Sequence, residues 1–182
     1  MADTLTEDSV LQKKLNALLF GVRRSVRYHN RRVRYYDRVN KAVTLLSALS
    51  GSATIASLLS DLGTEWSIAF ATIVAVSSSI NLVIGTAQQA RLHNDLAKRF
   101  LELEKLIILT ENPATESILT LTGKRLVIEA DEPPPLLVLD SICHNELLRA
   151  MGFPRSDFID IKWYQRMFCH QIDLREHMLK RG

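Results

Sequence analysis

Two Cys-His pairs are the residues whose types come closest to a metal-binding or reactive site. They are Cys143-His144 and Cys169-His170, and His177 follows the second pair. Neighbouring residues on a helix point about 100° apart, and the CxxC and HxxxH spacings of zinc sites do not occur. We therefore expect structural thiols and surface histidines, with no bound metal and no cofactor.

Catalysis is not indicated elsewhere in the chain. Asp140, Ser141 and His144 lack the nucleophile elbow that accompanies a hydrolase triad. The sequence also contains no Walker A loop, no GxGxxG motif and no HExxH motif. We predict that the protein is not an enzyme.

Basic residues are concentrated near the N-terminus. From Lys13 to Lys41 there are ten lysines and arginines against one acid, Asp37. With the interleaved tyrosines, they could bind nucleic acid, bind anionic lipid or a phosphate-bearing ligand, or only keep the N-terminus inside the cell. We favour the topological role with lipid contact, and nucleic acid is not an expected partner. The expected lipid or phosphate contacts are Arg23, Arg27, Arg31, Arg34 and Arg38.

Two long apolar runs in the middle of the chain determine where the other predicted segments lie. Ala42–Leu59 has 18 residues, Trp66–Ala87 has 22, and neither contains a charge. At about 1.5 Å per residue they reach about 27 and 33 Å, which brackets a bilayer core of ~30 Å. Serines and threonines in the first run leave a buried hairpin of a soluble bundle as the alternative. The basic flanks on both sides favour a transmembrane hairpin with both termini in the cytoplasm.

The predicted fold is all-α, with two transmembrane helices in a long antiparallel hairpin that extends into the cytoplasm. Residues 1–41 form a basic amphipathic helix, and 42–87 form the membrane hairpin, with spans at about 42–59 and 66–87. Residues 88–112 continue the second helix, and 113–182 form a small helical segment. One unbroken helix is expected from about residue 9 to 59.

The cytoplasmic parts of both helices carry apolar stripes at helical spacing. Polar His29 and Asn40 interrupt the first stripe. Because two helices joined by a short loop must lie antiparallel, we expect the stripes to pack together. The two stripes are Leu15, Leu19, Val22, Val26, His29, Val33, Tyr36 and Asn40, and Leu92, Leu96, Phe100, Leu103 and Ile107.

The last third of the chain is expected to contain three helical stretches. Ile118–Ile128 fits a helix or a hairpin, and we favour the helix. Residues 129–135 form an acidic, proline-rich spacer, and Leu136–Met151 is a predicted helix. Phe158–Leu179 is predicted to be a final amphipathic helix, with Ser156 as its cap.

Polar and small residues within the apolar runs indicate assembly. Ser78, Asn81 and Gly85 share one helix face, and they would either line a pore or form interhelical hydrogen bonds. Small residues at four-residue spacing allow helices to approach closely. The predicted packing residues are Ser47, Gly51, Ala48, Ser52, Ala71, Ala75 and Ser79.

The arrangement resembles the bacterial SLATT domains over about residues 10–110. The resemblance is carried by Arg31-Arg-Val-Arg-Tyr-Tyr36, the Ser/Ala-rich hairpin and the exit helix through Gln88–Phe100. It implies a non-enzymatic two-span effector of antiphage defence that oligomerises and depolarises the cell. The chain departs from that pattern, because the tail after Pro113 is expected to be too short and too helical for a nucleotide-sensing domain.

The expected function is therefore an oligomeric membrane effector, pore-forming or membrane-disrupting, of a bacterial antiphage or stress response. The alternative is a non-conducting scaffold that recruits a cytoplasmic partner through its C-terminal segment. The expected location is the inner membrane. The expected partners are the lipid bilayer, further copies of the chain, and a signalling-nucleotide sensor or another cytoplasmic protein.

Overall fold

Helices make up almost all of the described chain. A computed structural model describes residues 2–59, 64–111, 113–173 and 180–181, and it describes side chains at all of these except 2–7, 59, 80–82 and 180–181. The α-helices are α1 Ala2–Leu59, α2 Thr64–Ile84, α3 Thr86–Ile108, α4 Thr115–Glu129, α5 Leu137–Ala150 and α6 Trp163–Phe168. The predicted all-helical fold class is confirmed.

The remaining regular structure is small. Arg155–Asp157 forms one turn of 3₁₀-helix. Strands β1, Ile159–Asp160, and β2, Lys180–Arg181, pair antiparallel with Ile159 opposite Arg181.

The chain divides into two compact units. Unit 1 comprises Met1–Arg31 and His93–Gly182, and unit 2 comprises Arg32–Leu92. The boundaries fall inside α1 and α3, so these two helices contribute residues to both units.

The core of unit 1 confirms that the two stripes pack together over Leu15–Val26 and Leu96–Ile107, whereas Leu92, the first predicted member of the second stripe, is exposed. Val22 of α1 and Leu96 and Phe100 of α3 are fully buried in one apolar cluster. Leu19, a member of the predicted stripe, is only partly buried and packs beside this cluster. Leu18 is buried in the cluster instead. The α4 helix, favoured over a hairpin, supplies further members of this core. They are Ile118, Leu121 and Ile128.

A break at Gly85 corrects the expectation of one continuous second helix. Gly85 has φ +59° and separates α2 from α3. This left-handed conformation costs other L-residues about 1–2 kcal/mol, whereas glycine adopts it freely. The amide of Gln89 then donates to the Gly85 carbonyl at 2.9 Å, which starts the next helix.

The predicted final helix over Phe158–Leu179 is wrong for the described residues. Only Trp163–Phe168 is helical, and residues 174–179 lie outside the described part of the chain. The Asn145 side chain donates to the Ile159 carbonyl at 2.7 Å and accepts from the Ile159 amide at 2.8 Å. These bonds hold Ile159 extended, so tertiary partners override the helical spacing. Ser156 donates to Asp157 and caps no helix there.

Candidate functional site

Unit 2 buries several hydroxyl side chains and exposes many of its large apolar side chains. Ser50, Ser57, Ser67, Ser77 and Thr86 are all buried, the last to 1% exposure. Large apolar side chains are exposed along both helices, up to 85% for Val83. The exposed set is Leu45, Leu46, Leu49, Ile55, Leu58, Trp66, Ile68, Ile73, Val76, Val83 and Ile84. A soluble protein rarely exposes so continuous an apolar surface, whereas small and polar residues at helix contacts are typical of membrane proteins.

A hydrogen bond between two buried serines joins α1 to α2. Ser57 and Ser67 share a hydrogen bond of 2.6 Å between their hydroxyl oxygens. The Ser57 hydroxyl also lies 2.9 Å from the Thr54 carbonyl. Within α2, Ser77 donates to the Ile73 carbonyl at 2.7 Å. The hydroxyls of Ser57, Ser67 and Ser77 therefore have protein partners, which an environment without water requires.

A second polar contact joins α1 to the start of α3. The Thr86 hydroxyl donates to the Asn40 side-chain oxygen at 3.1 Å. Asn40, which interrupts the predicted stripe, therefore has a specific partner. The bond holds the residue just after the Gly85 turn against α1.

Three sequence-predicted residues line one open cavity of about 470 Å³ in unit 2. They are Ser47 of α1, Ser78 of α2 and Gly85, and Gln88 adds a side-chain amide. Ser78 is exposed, and Gly85 contributes backbone at the turn. The Asn81 side chain lies outside the described residues. Its role in lining a pore or bonding between helices therefore stays a prediction.

The predicted packing residues fall into two groups. Ser47 and Gly51 are half-buried on α1. Five others face outward within this chain, where Ser52 donates to the Ala48 carbonyl and Ser79 to the Ala75 carbonyl. These outward residues are Ala48, Ser52, Ala71, Ala75 and Ser79. Their small side chains leave an accessible surface for another helix.

One helix among the described residues is long and apolar enough to cross a membrane. It is the Asp8–Leu58 portion of α1, judged by length and composition. Lipid exposure would account for the outward leucines of this helix.

The predicted lipid-contacting arginines are largely engaged within the protein. Arg23 pairs with Glu104 at 2.7 Å, and Arg31 pairs with Glu146. Arg27 donates to the Arg23 carbonyl at 3.3 Å. Arg34 and Arg38 are exposed in unit 2, and they are the two whose guanidinium groups best suit contact with lipid.

A buried pair of histidines forms the polar centre of unit 1. His29 of α1 and His93 of α3 are each 1% exposed, and their Nδ1 atoms lie 2.9 Å apart. His29 Nε2 lies 3.1 Å from a carboxylate oxygen of Glu132 in the segment between α4 and α5. The Phe100 ring stacks on His29 with centroids 5.6 Å apart. Helix α1, helix α3 and the segment between α4 and α5 therefore meet at the His29 imidazole.

Adjacent residues of α1 hold both ends of the proline segment 133–135. His29 binds Glu132 before the prolines, and the Tyr28 hydroxyl accepts the Leu136 amide hydrogen at 3.0 Å after them. Tyr28 is buried in this contact, so it is not exposed for stacking on nucleic-acid bases. The prolines border an open cavity of about 400 Å³.

The charges around this cavity are nearly balanced. Arg24 lies 3.1 Å from Asp140, and Arg125 pairs with Glu129 at 2.6 Å. Burial raises the pKa of Asp140, and the nearby Arg24 guanidinium opposes that shift. The cavity thus has no large excess of either charge.

Neither Cys143 nor Cys169 forms a disulfide in the described part of the chain, and both side chains are buried. Burial raises the pKa of Cys143 to about 12, which keeps the thiol protonated and weakly nucleophilic at neutral pH. Over the described part of the chain, no three His, Cys, Asp or Glu side chains are grouped to hold a metal ion.

The histidine pair is the feature that sequence reasoning missed. The sequence pattern marks His29 only as an interruption of a stripe, and it indicates no role for His93 or Glu132. The available signal was spacing, because His93 lies three residues before Leu96 and so extends the buried stripe of α3.

No protein-family model, curated protein or solved structure matches the chain.

Proposed function

We propose that this protein is an oligomeric, non-enzymatic membrane effector of a bacterial antiphage or stress response, which perturbs or perforates the inner membrane. The supporting observation is the inverted side-chain distribution of unit 2, with buried hydroxyl groups and exposed leucine, isoleucine and valine. In the proposed topology the second half of α1 and the whole of α2 cross the bilayer, and both termini are cytoplasmic.

Assembly is required because two helices per chain cannot enclose a water-filled path. The outward small residues of α1 and α2 supply the surface for neighbouring copies. Ser78, exposed beside the 470 Å³ cavity, and Asn81, three residues further on, would line the path or bond across the protomer contacts.

The test measures membrane potential with a voltage-sensitive dye after induced expression, with and without phage infection. Wild-type protein is expected to depolarise the cells, and Ser78→Leu and Asn81→Leu are expected to reduce the effect. Thr72→Leu is the matched control, because Thr72 lies about 120° around α2 from Ser78 and donates to the Ile68 carbonyl. Unchanged potential in wild-type cells under both conditions, or full activity of both variants, would contradict the proposal and favour the non-conducting scaffold.

A further inference from the structure

A second cavity in unit 1 is surrounded by arginines. Its volume is about 220 Å³, and three separate elements contribute one guanidinium each: Arg31 of α1, Arg149 of α5 and Arg166 of α6. Glu146 is the one carboxylate among the described residues that line it. We refer to it as the arginine cavity.

Only one of the three positive charges is neutralised. Arg31 Nε donates to Glu146 at 3.2 Å, and its Nη2 donates to the other carboxylate oxygen. Arg149 and Arg166 have no carboxylate partner among residues 8–173 that the structure describes. Counting the described residues that line it, three arginines and Glu146, the cavity therefore carries an excess of two positive charges.

The two remaining guanidinium groups are positioned by neutral partners. Arg149 lies over the Phe158 ring, 5.6 Å from its centroid. Arg166 Nε donates to the Ile161 carbonyl at 3.4 Å. These contacts orient the side chains without cancelling their charge, so their other N–H groups can donate to an anion.

Asn145, which also lines the arginine cavity, is held in place by two hydrogen bonds. Asn145 uses its side-chain oxygen and nitrogen on the Ile159 backbone, at 2.8 and 2.7 Å. It therefore joins α5 to β1 at the cavity wall, and the guanidinium groups of the three arginines are the permanently charged donors that line the cavity.

We propose that the arginine cavity binds the phosphate group of a phosphomonoester. Guanidinium groups match phosphate oxygens in pairs of parallel hydrogen bonds. The volume is below the about 300–1,000 Å³ of sites for drug-sized ligands, so the phosphate enters and its organic substituent stays outside. This site is independent of the proposed effector activity. Arg31, which the sequence predicts to contact lipid or phosphate, would then lie in the wall of the phosphate site.

Titration of the full-length protein in phosphatidylcholine nanodiscs with inorganic phosphate, at constant ionic strength, tests the site. Saturable binding is expected, and Arg149→Gln and Arg166→Gln should each weaken it about tenfold, since a hydrogen bond to a charged group contributes that much. Arg155→Gln, an exposed arginine on the neighbouring 3₁₀ turn and outside the cavity, is the matched control and should bind as wild type.

Two further arms identify the source of the phosphate. Phosphatidic acid, a monoester lipid, is added to the nanodiscs, and phosphatidylglycerol, a diester, replaces it in the charge control. Competition by phosphatidic acid alone supports a lipid headgroup as the ligand, and equal affinity in both nanodiscs supports a soluble phosphomonoester. Absence of saturable phosphate binding, or equal binding by wild type and both cavity variants, would overturn the proposal.

Discussion

The Nδ1 atoms of His29 and His93 lie 2.9 Å apart in the interior of unit 1. Only one hydrogen can occupy that contact, so one ring donates and the other accepts. The other side of His29 faces Glu132, which as a carboxylate accepts from Nε2. The proline segment that follows Glu132 is thereby connected to α1 and α3 through a single buried imidazole.

Replacing both histidines together should lower the free energy of unfolding by less than the sum of the two single replacements. His93→Leu leaves the buried Nδ1 of His29 without its present partner, which costs about 1–3 kcal/mol. In His29→Leu/His93→Leu the loss should fall below the sum of the two single losses, because the residues are in contact. Chemical unfolding of the full-length protein in detergent measures this, with exposed Asn94→Leu as the control. Simple additivity of the two substitutions would contradict the paired arrangement.

How far sequence predicts this structure depends on the range of the interactions. Charge-free runs and apolar stripes are local patterns, and they correctly indicated α1, α4 and the packing of α1 on α3. The extended backbone at Ile159 depends on Asn145, and the start of α5 depends on Asp173, whose carboxylate accepts from the Leu137 and Val138 amides. The histidine pair joins residues 64 positions apart. Local spacing can indicate that His93 is buried, but it does not indicate which residue His93 contacts.

Removing one hydroxyl between the helices of unit 2 should lower thermal stability. Ser57→Ala loses the 2.6 Å bond to Ser67, and such bonds contribute about 0.6–2 kcal/mol in membrane proteins. Ser52→Ala is the control, since Ser52 is exposed and bonds only its own helix at the Ala48 carbonyl. Thermal unfolding in detergent compares the two. Equal melting temperatures would contradict a structural role for the serine contact.

The turn between α2 and α3 should tolerate asparagine better than alanine. Gly85→Ala places a Cβ on a backbone with φ +59°, at a cost of about 1–2 kcal/mol. Gly85→Asn should cost less, because asparagine enters the left-handed region more readily. Gly51→Ala serves as the control, since a Cβ there meets no atom within 4 Å. A stabilising effect of Gly85→Ala would indicate that α2 and α3 run on as one helix.

The mass of the complex extracted from membranes in mild detergent tests the central claim most directly. An effector whose path is enclosed by several copies requires a homo-oligomer, and we expect four or more chains of 20.6 kDa each. Substituting the outward small residues Ala71 and Ala75 by leucine should reduce that mass. A protein that is extracted by alkaline wash alone, or a detergent complex no larger than a dimer, would contradict the account.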